Sequence, residues 1–242
     1  MLTNQSHIET SFSCFNQLKK NILNGLYSPG EKLTISKIKK GHQWGQSPIR
    51  EALSRLITKE LVEFEENKGF RVSRISEAEL RDLFQTIRQI ESIAIRQSLE
   101  HGDDQCEVNL VASFHRISIN ENKGLSLATP DFLQNSNSEP GPLDYVFWVD
   151  CIFSFHRSLI LGCKSPSLIR IHDLLFLKLE RYVKLAFKYD PPHVQTCYDL
   201  KKRILETALR RDADETCRLF IEGLSTHTEG IVLSLKADFF KD

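Results

Sequence analysis

A row of polar side chains lies beside an apolar stripe in the segment that runs from Gly45 to Ser54. Gln46, Ser47, Arg50 and Ser54 carry an amide, two hydroxyls and a guanidinium at the start of a predicted helix. Such groups read base edges in the major groove of DNA, and Arg and Gln can each form two hydrogen bonds there. The segment therefore predicts contacts with nucleic acid.

A second polar group follows within about twenty residues. Asn67-Lys68-Gly69 is a turn between two short β-type runs, and Arg71 comes just after it. Gly69 would let the backbone approach a duplex closely, while Lys68 and Arg71 could bind phosphates. Lys37, on an earlier predicted helix, faces outward and is a further candidate for DNA contact.

These residues need a scaffold of three helices and a ribbon. Apolar spacing predicts a helix over residues 15–24 and another that begins near Ser36, whose hydroxyl can cap it. Ser47 as N-cap and Pro48 at the first helical position indicate the start of the third. The runs 61–65 and 70–74 then form a hairpin. Three helices and a ribbon in this order make a winged helix-turn-helix, whose third helix fits the major groove.

Charge separates the chain into two parts. The 242 residues carry no net charge, but residues 1–75 hold twelve Lys and Arg against seven Glu, about +5, and residues 76–242 hold about −5. A basic head suits a nucleic-acid partner. Scattered cysteines, no secretory signal and no apolar run of about 18 residues predict reduced thiols, a cytoplasmic location and no membrane partner.

The remainder reads as an all-α bundle. A capping box at Ser76 and Glu79 opens a long amphipathic helix. No strand alternation follows the hairpin. The predicted helices are 76–101, 103–117, 144–163, 166–189, 194–211 and 213–238, with a long insertion loop over 117–143. The predicted fold is mostly α, with a winged helix-turn-helix domain at 1–75 and a helical domain at 76–242.

The head resembles a known family. The segments "ILNGLYSPGEKL", "SPIREALSRLITKELV" and "NKGFRVS" are similar to the DNA-binding domain of GntR-family bacterial transcription regulators. The resemblance implies DNA contacts at Gln46, Ser47, Arg50 and Gly69. The family commonly places Ser-Arg-Thr before the proline, whereas this chain has Gly45-Gln46-Ser47. An amide at position 46 suits adenine where Arg would suit guanine, so we expect an operator that differs from the commonest family sites.

The body resembles the FCD subfamily of the same family, through "LFQTIRQIES", "FHRSLILGCKSPSL" and "LKKRILETALRRDADETCRLFIEG". This resemblance implies a homodimer bound to a two-fold operator and a small effector bound between the helices. Many members hold a divalent metal there. Of the four ligand positions only His156 is retained, because Ile152, Lys201 and Gly223 occupy the others. No metal cofactor is therefore expected, although His227 and Asp150 could act as replacement ligands.

Lys201 suggests another solution, in which a lysine replaces the cation. The resemblance implies that Arg88 points to the pocket, so Arg88, His156 and Lys201 could bind a small organic acid without metal. In the alternative, Lys201 is a surface lysine beside Lys202 and Arg203.

The expected function is a DNA-binding transcription regulator, a repressor by the family's common mode, controlled by an organic acid. A constitutive repressor with a decayed pocket is one alternative. A metal-dependent enzyme is another, but it lacks GxSxG, HExxH and P-loop motifs, so we expect no enzyme.

Overall fold

A computed structural model describes residues 2–40, 42–119, 142–189 and 198–240. The chain divides into two compact units, Met1–Ile75 and Ser76–Asp242. The loop predicted for 117–143 falls almost wholly on residues outside the described part. The predicted fold class, a winged helix-turn-helix followed by an all-α bundle, is confirmed.

The first unit is the winged helix-turn-helix, referred to below as the head. Its elements in chain order are α1 (Leu2–Leu23), β1 (Lys32–Leu33), α2 (Ile35–Lys39), α3 (Gln46–Ile57), β2 (Val62–Glu65) and β3 (Gly69–Val72). β3 lies between the other two strands and is antiparallel to both. The predicted ribbon is thus correct, and β1, which is only two residues long, adds a third strand that alternation could not show.

The helix starts in the head differ from the predicted ones. Gly45 is the N-cap of α3, so Ser47 and Pro48 lie inside the first turn. Proline fits there because the first N–H groups of a helix have no carbonyl partner within it. Thr34 caps α2, its hydroxyl accepting a hydrogen bond from the Lys37 amide at 3.2 Å, in place of Ser36.

The core of the head forms where α1 and α3 pack together. Apolar residues recur at helical spacing on both helices and are almost fully buried. They include Leu18 and Ile22 of α1 and Ile49, Leu53 and Leu56 of α3. Their burial holds one face of α3 inward and leaves the opposite face at the surface.

The second unit, the body, is a helical bundle. Its helices are α4 (Glu77–His101), α5 (Asp104–Ser118), α6 (Pro142–Ile160), α7 (Pro166–Tyr189), α8 (Tyr198–Leu209) and α9 (Ala213–Lys236), with a 3₁₀ turn at Leu161–Cys163 after α6. They correspond to the six predicted helices, except that the start of the helix predicted over 194–211 lies outside the described residues. The segment Val146–Cys163 is long and apolar enough to cross a membrane, but most of it is buried inside the bundle, as in an ordinary core helix.

The start of α4 depends on two side chains. Ser76 caps it, its hydroxyl accepting a hydrogen bond from the Glu79 amide at 3.1 Å. The Glu79 carboxylate does not complete the box, because it accepts a 2.6 Å hydrogen bond from the hydroxyl of Tyr182 on α7. The same hydroxyl accepts from the Ser76 N–H at 3.3 Å. Tyr182 therefore joins the first turn of α4 to the interior of the bundle.

Candidate DNA-binding surface and ligand cavity

The exposed face of α3 carries the polar residues expected to read DNA. Gln46, Ser47, Arg50 and Ser54 are all exposed. Arg50 forms no ion pair within the part of the chain that the structure describes. Its guanidinium is therefore available for a guanine edge or a phosphate, either of which it can bind with two hydrogen bonds.

The wing tip is shaped by two residues in the left-handed region. Asn67 has φ +62° and Gly69 has φ +85°. A Cβ added to Gly69 would meet no atom within 4 Å, so the space beside it is open. Lys68 is exposed and pairs with Glu65 at 2.8 Å, and this contact holds the pKa of the Glu65 carboxyl below its usual value. Such an exposed pair contributes little to stability and can be exchanged for a phosphate contact.

Two of the predicted phosphate ligands already have protein partners. The Arg71 guanidinium donates a 3.1 Å hydrogen bond to the carbonyl of Gly30, which ties the wing to the turn before β1. Lys37 pairs with Glu31 and lies over the Tyr27 ring, 5.5 Å from its centroid. The structure thus brings both residues to the head surface but gives them a role in holding it together.

The structure adds a basic residue that the sequence analysis did not select. Lys32 is exposed on β1 and is the register partner of Arg71 on β3. Because β1 has only two residues, no alternation marked it as a strand. The sequence signal for β1 was the turn at Pro29 and Gly30, which is followed by a charged and an apolar residue at the positions of the strand.

A cavity lies in the bundle between α4, α6, α7, α8 and α9, with an empty volume of about 510 Å³ including its open mouth. Most of its lining is aromatic or aliphatic. Three basic residues, Lys201, His156 and His227, also line it. Apolar walls with a few polar groups are typical of sites for small molecules.

His156 packs among aromatic rings in the cavity wall. Its ring meets the rings of Phe220 and Phe176 at centroid distances of 5.4 and 5.7 Å. Burial, and then the nearby basic groups Lys201, His227 and His172, hold the pKa of His156 well below its usual value. The imidazole is therefore neutral near pH 7, and its buried Nδ1 has no hydrogen-bond partner in the part of the chain that the structure describes.

Comparisons with known proteins place the chain in a family. Residues 13–72 match the family described as bacterial regulatory proteins, gntR family. The chain is 30% identical over 211 residues to the uncharacterized HTH-type transcriptional regulator BphR of Paraburkholderia xenovorans (strain LB400), covering 86% of this chain and 80% of BphR. The chain belongs to the GntR family. It is thus a DNA-binding transcription regulator.

Two further comparisons extend over nearly the whole chain. The HTH-type transcriptional repressor GlaR of Escherichia coli (strain K12) is 30% identical over 220 residues, which cover 90% of this chain and 93% of GlaR. The solved structure of E. coli McbR/YncC aligns with a TM-score of 0.71 at 14% identity, over 94% of this chain and 98% of that one. This structural match shows that the two chains share a fold.

Two expected effector residues of this GntR protein lie in the cavity and one does not. Lys201 is only 2% exposed and lines the cavity with His156, so the alternative of a surface lysine is wrong. Arg88 is exposed and lines a neighbouring cleft between α4 and α9. Phe84 and Leu224 border both spaces. Arg88 therefore lies on the far side of Phe84 and Leu224, outside the cavity in which it was expected.

The positions at which the FCD resemblance implies metal ligands hold no ligand set among the described residues. The described residues contain no group of three or more His, Cys, Asp or Glu that could hold a metal ion. Asp150, considered as a replacement ligand, is bonded to Lys184 at 2.8 Å and does not line the cavity. Gly223 is buried, and a Cβ there would lie 2.7 Å from Cδ2 of Leu200. His156 and His227 beside Lys201 do not fit a divalent cation, because sites for Zn²⁺ need three or four ligands.

Proposed function

We propose that this protein is a cytoplasmic transcriptional repressor that binds its operator as a homodimer and responds to a small organic acid. The acid would bind in the bundle cavity of the FCD-like body and change the affinity for DNA. The relative GlaR, which bears the name of a repressor and aligns over 93% of its length, supports the repressor mode.

The head supplies the DNA contacts of this proposal. The exposed row from Gln46 to Ser54 would enter the major groove, with Arg50 and Gln46 reading bases and Ser47 bonding to phosphate. The wing would follow the adjacent groove, where Gly69 allows close backbone approach and Lys68 neutralises a phosphate. Lys37 and Arg71 would add phosphate contacts in addition to their present bonds.

The single observation that supports an acid effector is the burial of Lys201. An ammonium group in an apolar cavity attracts an anion more strongly than one at the surface, because less water screens the charge. His156, neutral and with an unpartnered Nδ1, would supply a hydrogen bond to the same anion. A repressor whose pocket had decayed would not be expected to keep a cavity with basic groups.

The effector would act by linkage. If the acid prefers one arrangement of the dimer and operator DNA prefers another, each ligand lowers the affinity for the other by the same factor. Typical coupling of about 1–3 kcal/mol gives a change in operator affinity of about 5- to 150-fold.

The test begins with selection of bound DNA from a random library. We expect Arg50→Ala to weaken binding to the selected operator by about 10-fold or more, since a bidentate base contact contributes about 1–3 kcal/mol. Operator binding is then measured with a panel of organic acids. Lys201→Met should remove the response, while Lys202→Met, at the exposed neighbouring position, should keep it. An unchanged affinity of the Arg50→Ala variant, or an unchanged response of Lys201→Met, would contradict the proposal.

A further inference from the structure

We infer that the cavity selects a monocarboxylate with an apolar, preferably aromatic, body that carries neither hydroxyl groups nor a second carboxylate. This inference rests on the proposed function, since it specifies the class of acid that the same site would take. It follows from which groups line the cavity and which types of side chain are missing from its lining.

The apolar part of the ligand would contact a wall whose hydrogen-bonding side chains are limited, among the described residues, to the three basic ones and the indole of Trp148. The lining residues that the structure describes include no Ser, Thr, Asn, Gln, Asp or Glu. The largest apolar side chains in the lining are those of Phe84, Trp148, Phe153 and Phe187. Trp148 and Phe187 lie with ring centroids 6.0 Å apart, a separation at which aromatic rings attract. A flat apolar ring would extend this cluster.

The carboxylate of the ligand would contact three hydrogen-bonding groups. Lys201 contributes an ammonium. Trp148 is only 6% exposed, and its buried indole Nε1 has no hydrogen-bond partner among the described residues. Within the same part of the chain, the buried Nδ1 of His156 also has none. A carboxylate has about four lone-pair sites, so it can accept from an ammonium, an indole N–H and an imidazole N–H at once. Unsatisfied buried polar atoms of this kind are rare in proteins and call for a partner.

A single negative charge suits the cavity. Lys201 is the one lysine among the described lining residues, and His156 is held neutral by its surroundings. A dicarboxylate would place its second charge among aromatic walls or against the two imidazoles, without a further ammonium or guanidinium. Arg88, which could have paired with a second carboxylate, lies in the other cleft.

Hydroxyl groups are selected against by the same wall. A hydroxyl carried on the body of the ligand would lose its water partners and find no replacement among the apolar side chains. An unsatisfied buried group of this kind lowers affinity by a factor of about 5 to 150. The cavity is therefore expected to separate an acid from its own hydroxylated derivative.

The chain provides its own reporter for the test. It has two tryptophans, Trp44 in the head and Trp148 in the cavity wall. In the full-length Trp44→Phe variant, fluorescence arises from Trp148 alone, so quenching reports occupation of the cavity. The probes are benzoate, 4-hydroxybenzoate, benzamide, hexanoate, adipate and malate. The same samples are assayed for operator DNA binding.

We expect benzoate and hexanoate to quench the fluorescence of Trp148. 4-Hydroxybenzoate and benzamide should bind at least 5-fold more weakly than benzoate. Adipate and malate should bind at least 5-fold more weakly than hexanoate. In the Trp44→Phe background, Lys201→Met should lower the affinity for benzoate by 10-fold or more. Arg88→Gln, in the separate cleft, should change that affinity by less than 2-fold. A chelator should leave benzoate binding unchanged.

The inference would be overturned if 4-hydroxybenzoate bound more tightly than benzoate, or if adipate or malate bound more tightly than hexanoate. So would the absence of binding by all the monocarboxylates at millimolar concentration. If operator binding responds to a hydroxylated or dicarboxylic acid through Lys201, the proposed function stands and the inference fails. If the protein binds no operator, the proposed function fails, whatever the cavity binds.

Discussion

Nδ1 of His172 lies 2.7 Å from Oε1 of Glu91, and both side chains are about 1% exposed. The pair joins α7 to α4. Burial raises the pKa of Glu91, while the hydrogen bond and the charge of His172 act in the opposite direction. The His172 ring also stacks on Phe176 at 4.0 Å, and Phe176 in turn contacts His156. The pair is therefore part of the scaffold behind the ligand cavity.

Breaking this pair should destabilise the body. His172→Phe leaves the Glu91 carboxyl buried without a partner, so we expect the free energy of unfolding to fall by about 3 kcal/mol in urea titrations. The double variant Glu91→Leu/His172→Phe replaces both polar groups and should recover most of the loss. A single variant as stable as the parent protein would contradict a structural role for the pair.

The wing tip should be more important for DNA binding than for folding. Gly69→Ala forces a side chain into a positive φ but meets no neighbouring atom, so we expect a loss of stability of about 1 kcal/mol. Operator affinity should fall further, because the methyl group holds the backbone away from the duplex. Gly30→Ala is the matched control, since Gly30 also has a positive φ, +75°, but lies away from the tip. Equal effects of the two substitutions on operator affinity would argue against a DNA contact at the tip.

The residue at position 46 should determine part of the operator sequence. Gln46→Arg changes a side chain suited to adenine into one suited to guanine. Selection from random DNA should therefore return different half-sites for the two proteins, with a preference changed by about 1–3 kcal/mol at one base pair. Identical selected sequences would show that position 46 does not read a base.

Acid should destabilise the body through His156. Its pKa is well below the value of about 6.5 that it has in the unfolded chain, so the unfolded state takes up the proton first as the pH falls. Stability is thus fully present above pH 6.5 and declines below it. Between pH 7.5 and 5.5 this group accounts for a loss of roughly 1 kcal/mol. Urea titrations at both pH values should show a smaller decline for His156→Leu, and an equal decline would contradict the prediction.

The order and type of the elements could be predicted because their signals are local. Helical spacing of apolar residues such as Leu80, Leu83 and Phe84 marks α4 without knowledge of its neighbours. Helix starts were harder, because Gly45 and Ser47 can both act as caps and the choice depends on packing of the first turn. β1 was missed, since two residues carry no periodicity.

The site could be predicted only where one element decides it. The exposed face of α3 follows from its own buried stripe. The placement of Arg88 depends on how α4 packs against α9, and Phe84 rather than Arg88 reaches the cavity. Trp148 and the pair of Glu91 and His172 were not selected, because nothing in the local sequence shows that an indole or a carboxylate will be buried.

The glycine at position 223 sets how closely α8 and α9 pack. Leu200 packs where its side chain would have been, and Leu200 directly precedes Lys201 on α8. A methyl group added at position 223 would displace the Leu200 side chain. If the cavity takes an effector as proposed, a substitution on α9 outside the cavity lining would thus alter the affinity for that effector through the neighbour of Lys201.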